Sequence, residues 1–319
     1  MRCPFCNKGK YLYPENDLNE SGAIKCEACG ETVKIIDGIY HFLKDRKNVS
    51  GVDYESASWH IEERERERYY ERVHGFNDEW LCSLPFPDIE IETTFQKKGA
   101  ALGENYFNIL ESLHLSKSEK VLDLAAGTCW TSRHFAKSGC KVVATDIRTI
   151  KYHGLRSAEA YFERGEEKFE RICWSFGPIP FDDETFDIVF CQNAFQYVDD
   201  LHYMINEIRR VLKTNGIFIL SWTGVRAPFK DKKYGPGYYL SAYLKNIKAC
   251  QYSQIKYNIP ESLINESRVV ATRENNNIVI NSAIKLMSKS KFLRTVFYIY
   301  GRIPAAHVIG APINIVATK

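Results

Sequence analysis

Val121-Leu122-Asp123-Leu124-Ala125-Ala126-Gly127-Thr128-Cys129-Trp130, followed by TSRHFAKSG (Thr131 to Gly139) and CKVVATDI (Cys140 to Ile147), reads as a strand, a tight loop, a helix and a second strand. Val121 to Leu124 is the short apolar run that a buried parallel strand needs. Asp123 stands near its C-terminal end, where open α/β sheets bind ligands. Gly127 lets the backbone turn sharply. Trp130 to Ser138 has helical spacing and stops at Gly139, so its first N–H groups face the loop and favour a negative group there. Lys141 to Thr145 is the second strand and ends at Asp146. An acid at that tip, about twenty residues past the first loop, is placed to accept hydrogen bonds from a ribose diol. The unit predicts an α/β core that holds a nucleoside.

At these residues the chain resembles the class I S-adenosylmethionine-dependent methyltransferases, whose first loop usually runs Asp-x-Gly-x-Gly-x-Gly. Of the three glycines only Gly127 is kept; Ala125 and Cys129 replace the others. The downstream order is similar too: FDIVFCQNAFQYVDD (Phe186 to Asp200), a helix from Leu201 to Leu212, a turn Lys213-Thr214-Asn215-Gly216, and a strand from Ile217 to Trp222. These look like the family's fourth strand, fourth helix and fifth strand, so the resemblance runs over residues 95 to 223. It implies an α/β, Rossmann-like methyltransferase sheet with S-adenosyl-L-methionine as cofactor. Carried over position by position, it implies cofactor contacts from Asp123, Ala125, Gly127, Cys129, Asp146, Ile147, Ser175, Phe176 and Gln192. The competing dinucleotide reading wants G-x-G-x-x-G against a pyrophosphate, and that fingerprint is absent.

At 319 residues the chain is long for one compact domain, and a core with appendages is the natural division. An apolar fraction of 45% with 26% charge is ordinary for a globular protein. No apolar run reaches the length of a membrane span, and Met1-Arg2-Cys3-Pro4 does not open a signal peptide, so a cytoplasmic location is expected.

Four of the ten cysteines form two tight pairs, Cys3/Cys6 and Cys26/Cys29, separated by nineteen residues. C-x2-C…C-x2-C at this spacing predicts a tetrahedral zinc ion held by four thiolates, closed to substrate and therefore structural. With few apolar residues before position 40, the module needs the metal to fold. VKIIDGIYHFL (Val33 to Leu43) resembles the last strand and Asp-Gly turn of the zinc ribbons fused or bound to several methyltransferases. In that family such ribbons dock on a core or read a substrate, and both roles stay open here. His41 is expected to be a partly buried histidine, since four cysteines already satisfy the ion.

The expected division is a zinc ribbon over 1–45, a helical linker or lid over 46–94, the cofactor-binding core over 95–224, a basic aromatic cap insertion over 225–306, and a closing core strand over 307–319. The linker sequence HIEERERERYYERVHGF alternates Glu and Arg at helical pair spacings on a solvated face. Its aromatics Trp59, Tyr69, Tyr70 and Phe76 could instead close over the cofactor. Phe95 to Leu115 reads as the helix before the first core strand. Between Phe169 and Phe181 the family commonly carries an aspartate for the adenine amino group. This chain has Ser175, Phe176 and Gly177 there, leaving adenine to backbone groups, the Ser175 hydroxyl and packing on Phe176 or Trp174. Asp182 and Asp183 read as turn residues.

The loop after Cys191, Gln192-Asn193-Ala194-Phe195-Gln196-Tyr197, faces the sulfonium methyl in the resembling family. Methyl transfer gains most from holding the acceptor in line, which needs no acid or base. Asn193 is the first candidate for acceptor contact. His202, His153 and His307 are the candidates for a base if the acceptor is a hydroxyl, and no catalytic base is assigned.

Val225 to Lys319 carries 15 Lys or Arg against 4 Asp or Glu, a net charge of +11, while the first 224 residues stand at −8. That asymmetry implies an anionic partner, and tyrosines at 234, 238, 239, 243, 252 and 257 interleave with the charge. One reading is methylation of a small anionic metabolite or glycan under a cap. The alternative is a ribosomal-RNA base methyltransferase gripping RNA with ribbon and cap, but a near-balanced ribbon charge favours the small molecule. A third reading, a non-catalytic partner protein, follows from the lost glycines and the missing aspartate.

Overall fold

The computed structural model describes residues 1–11, 22–43, 58–87, 94–113, 115–225, 237–258, 260 and 312–319. In chain order its elements are β1 (Gly22–Lys25), β2 (Thr32–Ile36), β3 (Ile39–His41), α1 (Ser58–His74), α2 (Asp78–Ser83), α3 (Thr94–Leu113), β4 (Lys120–Leu124), α4 (Trp130–Lys137), β5 (Lys141–Asp146), α5 (Glu159–Phe162), β6 (Glu170–Cys173), β7 (Phe186–Gln192), α6 (Leu201–Val211), β8 (Leu212–Thr223), α7 (Leu240–Ala249), β9 (Ser253–Asn258) and β10 (Ile313–Thr318). They form two compact units. The first contains Met1–Ile89, Leu115–Val189 and Arg210–Thr214; the second contains Glu90–His114, Phe190–Arg209 and Asn215–Lys319.

In the first unit β4, β5 and β6 are parallel neighbours, with Asp123 opposite Ala144 and Asp146 opposite Cys173. Both faces of β4 and β5 are buried after the first residue, as their Val, Leu and Ala content requires for strands covered by helices on each side. Each fully buried valine or leucine there contributes about 1.5–3 kcal/mol. Helix α4 ends where Gly139 takes a left-handed conformation at φ 90°, the expected stop.

The ribbon belongs to the same unit. β1 and β2 pair antiparallel, and β2 turns into β3 through Asp37 (φ 52°) and Gly38 (φ 68°), the two left-handed residues that a tight hairpin turn demands. β3 then pairs in parallel with β6, Ile39 to His41 against Arg171 to Cys173. This pairing was not foreshadowed by the sequence. Arg2 and Lys10 form surface ion pairs with the turn acids Asp183 and Asp182.

Helices α1 and α2 lie against the segment after β5. Glu67 accepts from the Lys151 backbone N–H and the Arg156 guanidinium. Tyr70 stacks on Phe76, and Phe76 on Trp80 with ring centroids 3.7 Å apart; Tyr152 and His153 join the cluster. Tyr69 is exposed, and the Trp59 side chain lies outside the described residues.

In the second unit β10 runs antiparallel between β8 and β9. Within the stretch expected to be cap, α7 buries Leu240, Tyr243 and Ile247 at helical spacing, and β9 is a sheet strand. Tyr243 and Tyr252 are buried in this core, so they are packing groups and not surfaces for base stacking. Most of the remaining cap, including Tyr234 and His307, lies outside the described residues. The turn expected at Lys213–Gly216 falls inside β8; Asn215 supplies its bend at φ 63°. Asn105 of α3 bonds Ser221 and Asn314, linking helix, β8 and β10 through a buried amide network.

Candidate functional site

The loop after β4 is left-handed at three alternate positions. Ala125, Gly127 and Cys129 all have left-handed backbones, at φ 56°, 55° and 60°. These are the three positions at which Asp-x-Gly-x-Gly-x-Gly carries glycine. A non-glycine residue in this region costs roughly 1–2 kcal/mol, a strain that the surrounding bonds must hold. Ala126 N–H donates to Thr145 O at 2.8 Å and Cys129 N–H to Ala126 O at 2.9 Å. Tyr161, reaching back from α5, donates its hydroxyl to Thr128 O at 3.0 Å. Cys129 is fully buried, and burial pushes its thiol well up, so it stays protonated.

Asp146 grips this loop. Its Oδ2 accepts the Gly127 N–H at 2.8 Å and its Oδ1 the Arg148 N–H at 2.9 Å. Burial raises its pKa, and those backbone bonds oppose the rise. Each carboxylate oxygen retains a lone pair for a further donor. Asp123 is 1% exposed, and its Oδ2 accepts from Thr131 Oγ1 and Ser132 Oγ, both at 2.6 Å. Burial pushes its carboxyl up to about 6, with the charge of Asp146 adding to the effect and the two hydroxyls opposing it. Two buried acids at neighbouring strand tips, both raised, form a place that a cation relieves.

Ile147 follows the acid and accepts a weak bond from Cys173 Sγ at 3.6 Å. Ser175 and Phe176 are half-buried in a turn closed by Trp174, whose indole donates to Pro178 O at 3.0 Å and whose backbone N–H donates to Asp146 O. Asp123, Ala125, Gly127, Cys129, Asp146, Ile147, Ser175 and Phe176 all lie in the first unit. Thr131, Ser132 and Tyr161 were missed; a hydroxyl pair in the first turn of the helix after the loop was the readable signal for the first two.

Gln192, Asn193 and His202 belong to the second unit. Gln192 Nε2 points at Leu102 O, 3.5 Å away. Asn193 has φ 53°; its N–H donates to Ser221 O, and its carbonyl accepts from Gln196 Nε2. Gln196 also accepts the Gly224 N–H, so this buried amide fixes the loop bearing Asn193. His202 is exposed, with Nδ1 3.8 Å from Cys250 Sγ. His153 packs on Tyr70.

Cys3, Cys6, Cys26 and Cys29 bring their sulfurs within 4.8 Å of one another. Cys3–Cys29 and Cys6–Cys26 are each 3.8 Å apart. A tetrahedral zinc ion with bonds of about 2.3 Å sets its sulfurs about 3.8 Å apart, so the four fit. The Gly9 N–H donates to Cys6 Sγ at 3.4 Å. Backbone N–H groups of Lys8 and Gly9 bring the Cys6 thiol down to about 6. A side chain at Gly9 would put its Cβ 2.4 Å from Cys26 Sγ, so the knuckle closes only over glycine. At Cys29 a bond from the Glu31 backbone lowers the pKa, but burial and the neighbouring sulfurs outweigh it and push the thiol up to about 12. Four crowded thiols of this kind ionise together only around a cation. His41 is half-buried in β3 and is not one of the four clustered ligands.

Residues 122–220 match the methyltransferase domain family. The chain is 25% identical over 172 residues to the glycine/sarcosine/dimethylglycine N-methyltransferase of Actinopolyspora halophila, covering 53% of this chain and 29% of that protein. It is 32% identical over 112 residues to the sarcosine/dimethylglycine N-methyltransferase of Halorhodospira halochloris, covering 34% of this chain and 39% of that one. The chain therefore matches less than half the length of these curated relatives. A solved structure from Galdieria sulphuraria, assigned as a sarcosine dimethylglycine methyltransferase, superposes with a TM-score of 0.50 at 18% identity, over 80% of this chain and 98% of that one. The likeness establishes a Rossmann-like α/β methyltransferase fold. Among the described residues no helix is long and apolar enough to cross a membrane.

Proposed function

We propose that this protein is an S-adenosylmethionine-dependent methyltransferase acting on a small molecule. The observation that carries the reading is the β4 loop, left-handed at all three glycine positions and clamped by Asp146. When bound, the cofactor supplies an electrophilic methyl group on a sulfonium. Asp146 accepts the ribose hydroxyls, Asp123 contributes negative charge, and the first N–H groups of α4 line the loop. Ile147, Ser175 and Phe176 flank the base, and Gln192 is a further candidate for cofactor contact. Asn193 orients the acceptor, whose attack depends on alignment and not on an assigned base. Structural zinc is held by Cys3, Cys6, Cys26 and Cys29.

The acceptor is a small anionic metabolite or glycan. Support comes from the +11 charge of residues 225–319 and from relatives whose names specify glycine, sarcosine and dimethylglycine, all carboxylates. In this reading the ribbon (1–45) and helical linker (46–94) precede the core (95–224) in the chain, the cap (225–306) selects the acceptor, and 307–319 closes the core in a cytoplasmic enzyme. The same charge supports the RNA reading, which predicts nucleic acid carried through purification and affinity falling steeply with salt. Titration calorimetry with S-adenosylmethionine and S-adenosylhomocysteine, then methyl transfer to sarcosine and dimethylglycine, tests the proposal. Heat from neither nucleoside favours a non-catalytic partner.

A further inference from the structure

The ribbon and the candidate cofactor site share a strand. β6 is flanked by β5 on one side and by the ribbon's β3 on the other. Without β3, this four-residue strand would present a free row of N–H and C=O groups. Yet β6 supports the tip that bears Asp146: Trp174 N–H donates to Asp146 O at 3.0 Å, and Cys173 Sγ lies 3.6 Å from Ile147 O.

A short series of contacts runs from the sulfurs to that tip. Cys3 Sγ lies 3.5 Å from the Tyr11 hydroxyl, which is buried. The Tyr11 ring meets the Phe42 ring edge-on with centroids 5.5 Å apart. Phe42 N–H donates to Cys173 O at 2.9 Å, and the next residue, Trp174, holds Asp146. A second tie runs beside it. Arg171, 3% exposed, donates through Nη2 to Asp37 O in the β2–β3 turn at 2.6 Å and through Nη1 to Leu155 O at 3.3 Å. The exposed pairs Arg2–Asp183 and Lys10–Asp182 add little, so the joint rests on the ladder, the aromatic contact and Arg171.

We propose that the ribbon is a positioning element for the nucleoside site, with zinc loading and cofactor binding coupled through β3, β6 and Arg171. The inference rests on both the zinc and the cofactor readings. Metal release melts a module too poor in apolar residues to fold alone. β3 then leaves β6, the Asp146 tip loses its neighbour, and the clamp on Gly127 loosens. Coupling of this kind is reciprocal, so an occupied cofactor site must in turn retard metal loss.

Two measurements test it, with S-adenosylhomocysteine as the probe. In the first, zinc transfer from the intact protein to a chelating dye is timed with and without saturating probe, which requires no altered or stripped protein to stay folded. The expected result is slower release with the probe; equal rates overturn the coupling. In the second, calorimetry compares zinc-loaded protein, chelator-stripped protein and Arg171→Met. Stripping is expected to weaken the probe's Kd by roughly 5- to 150-fold, and Arg171→Met to weaken it at undiminished zinc content. Unchanged affinity in both overturns the proposal. Zinc-loaded protein that binds no probe defeats the cofactor reading itself, an outcome distinct from probe bound equally with and without metal.

Discussion

Replacing Asp123 by asparagine separates what the β4 tip does for the fold from what it does for a ligand. The side chain is 1% exposed, and burial holds its carboxyl at about 6 against an ordinary 3.8. At 1.36 kcal/mol per pKa unit, keeping this group ionised costs the folded state about 3 kcal/mol at pH 7. The folded chain binds this proton more tightly than the unfolded one. The associated stability is therefore fully present below about pH 4 and is lost as pH rises through about 6. The Asp123→Asn variant keeps an oxygen for Thr131 and Ser132 and removes the charge, but its amide N–H group can be left without a partner, at about 1–3 kcal/mol. The expected net is a gain of up to about 2 kcal/mol at pH 7.5, shrinking toward pH 5, read by denaturant titration at both values. Over the same range the affinity of wild-type protein for S-adenosylmethionine should fall as pH drops below 6, since a cationic ligand favours the ionised acid. A loss of 2 kcal/mol or more at pH 7.5 would refute the reasoning, because the carboxylate would then be stabilising the loop and not straining it.

Ala125→Gly should relieve a left-handed alanine; a gain of about 1 kcal/mol in denaturant unfolding is expected, with cofactor affinity kept. Cys26→Ser should lower zinc content, measured by elemental analysis, from about one ion per chain and reduce solubility with it. Gly9→Ala, which drives a methyl group into Cys26 Sγ, should do the same without touching a ligand, and a fully loaded Gly9→Ala protein would contradict the knuckle geometry. Asn193→Ala should reduce turnover of an accepted substrate by at least tenfold while leaving S-adenosylhomocysteine binding, followed by calorimetry, within about twofold.

The parts of this protein legible in its sequence are those set by local spacing. The βαβ unit from Val121 to Ile147 announces itself through apolar runs, a helical period and an acid at each tip. The four cysteines do so because C-x2-C fixes two thiolates on one knuckle. The β4 loop was harder, since Ala125 and Cys129 conceal a glycine-like backbone that only φ values reveal. Contacts between distant positions left no local trace. Tyr161 reaches Thr128 across 33 residues and Arg171 reaches Asp37 across 134. Nor does a three-residue strand such as Ile39–His41 state which partner it will join; pairing with β6 depends on an edge that exists only after the core has assembled.

Calorimetric titration of the zinc-loaded protein with S-adenosylmethionine at pH 7.5, beside an Asp146→Ala variant, addresses the nucleoside site most directly. One molecule bound per chain by the unaltered protein, with affinity lost in the variant while its zinc content and fold persist, is the predicted result. Equal binding by both proteins, or heat from neither, would contradict it.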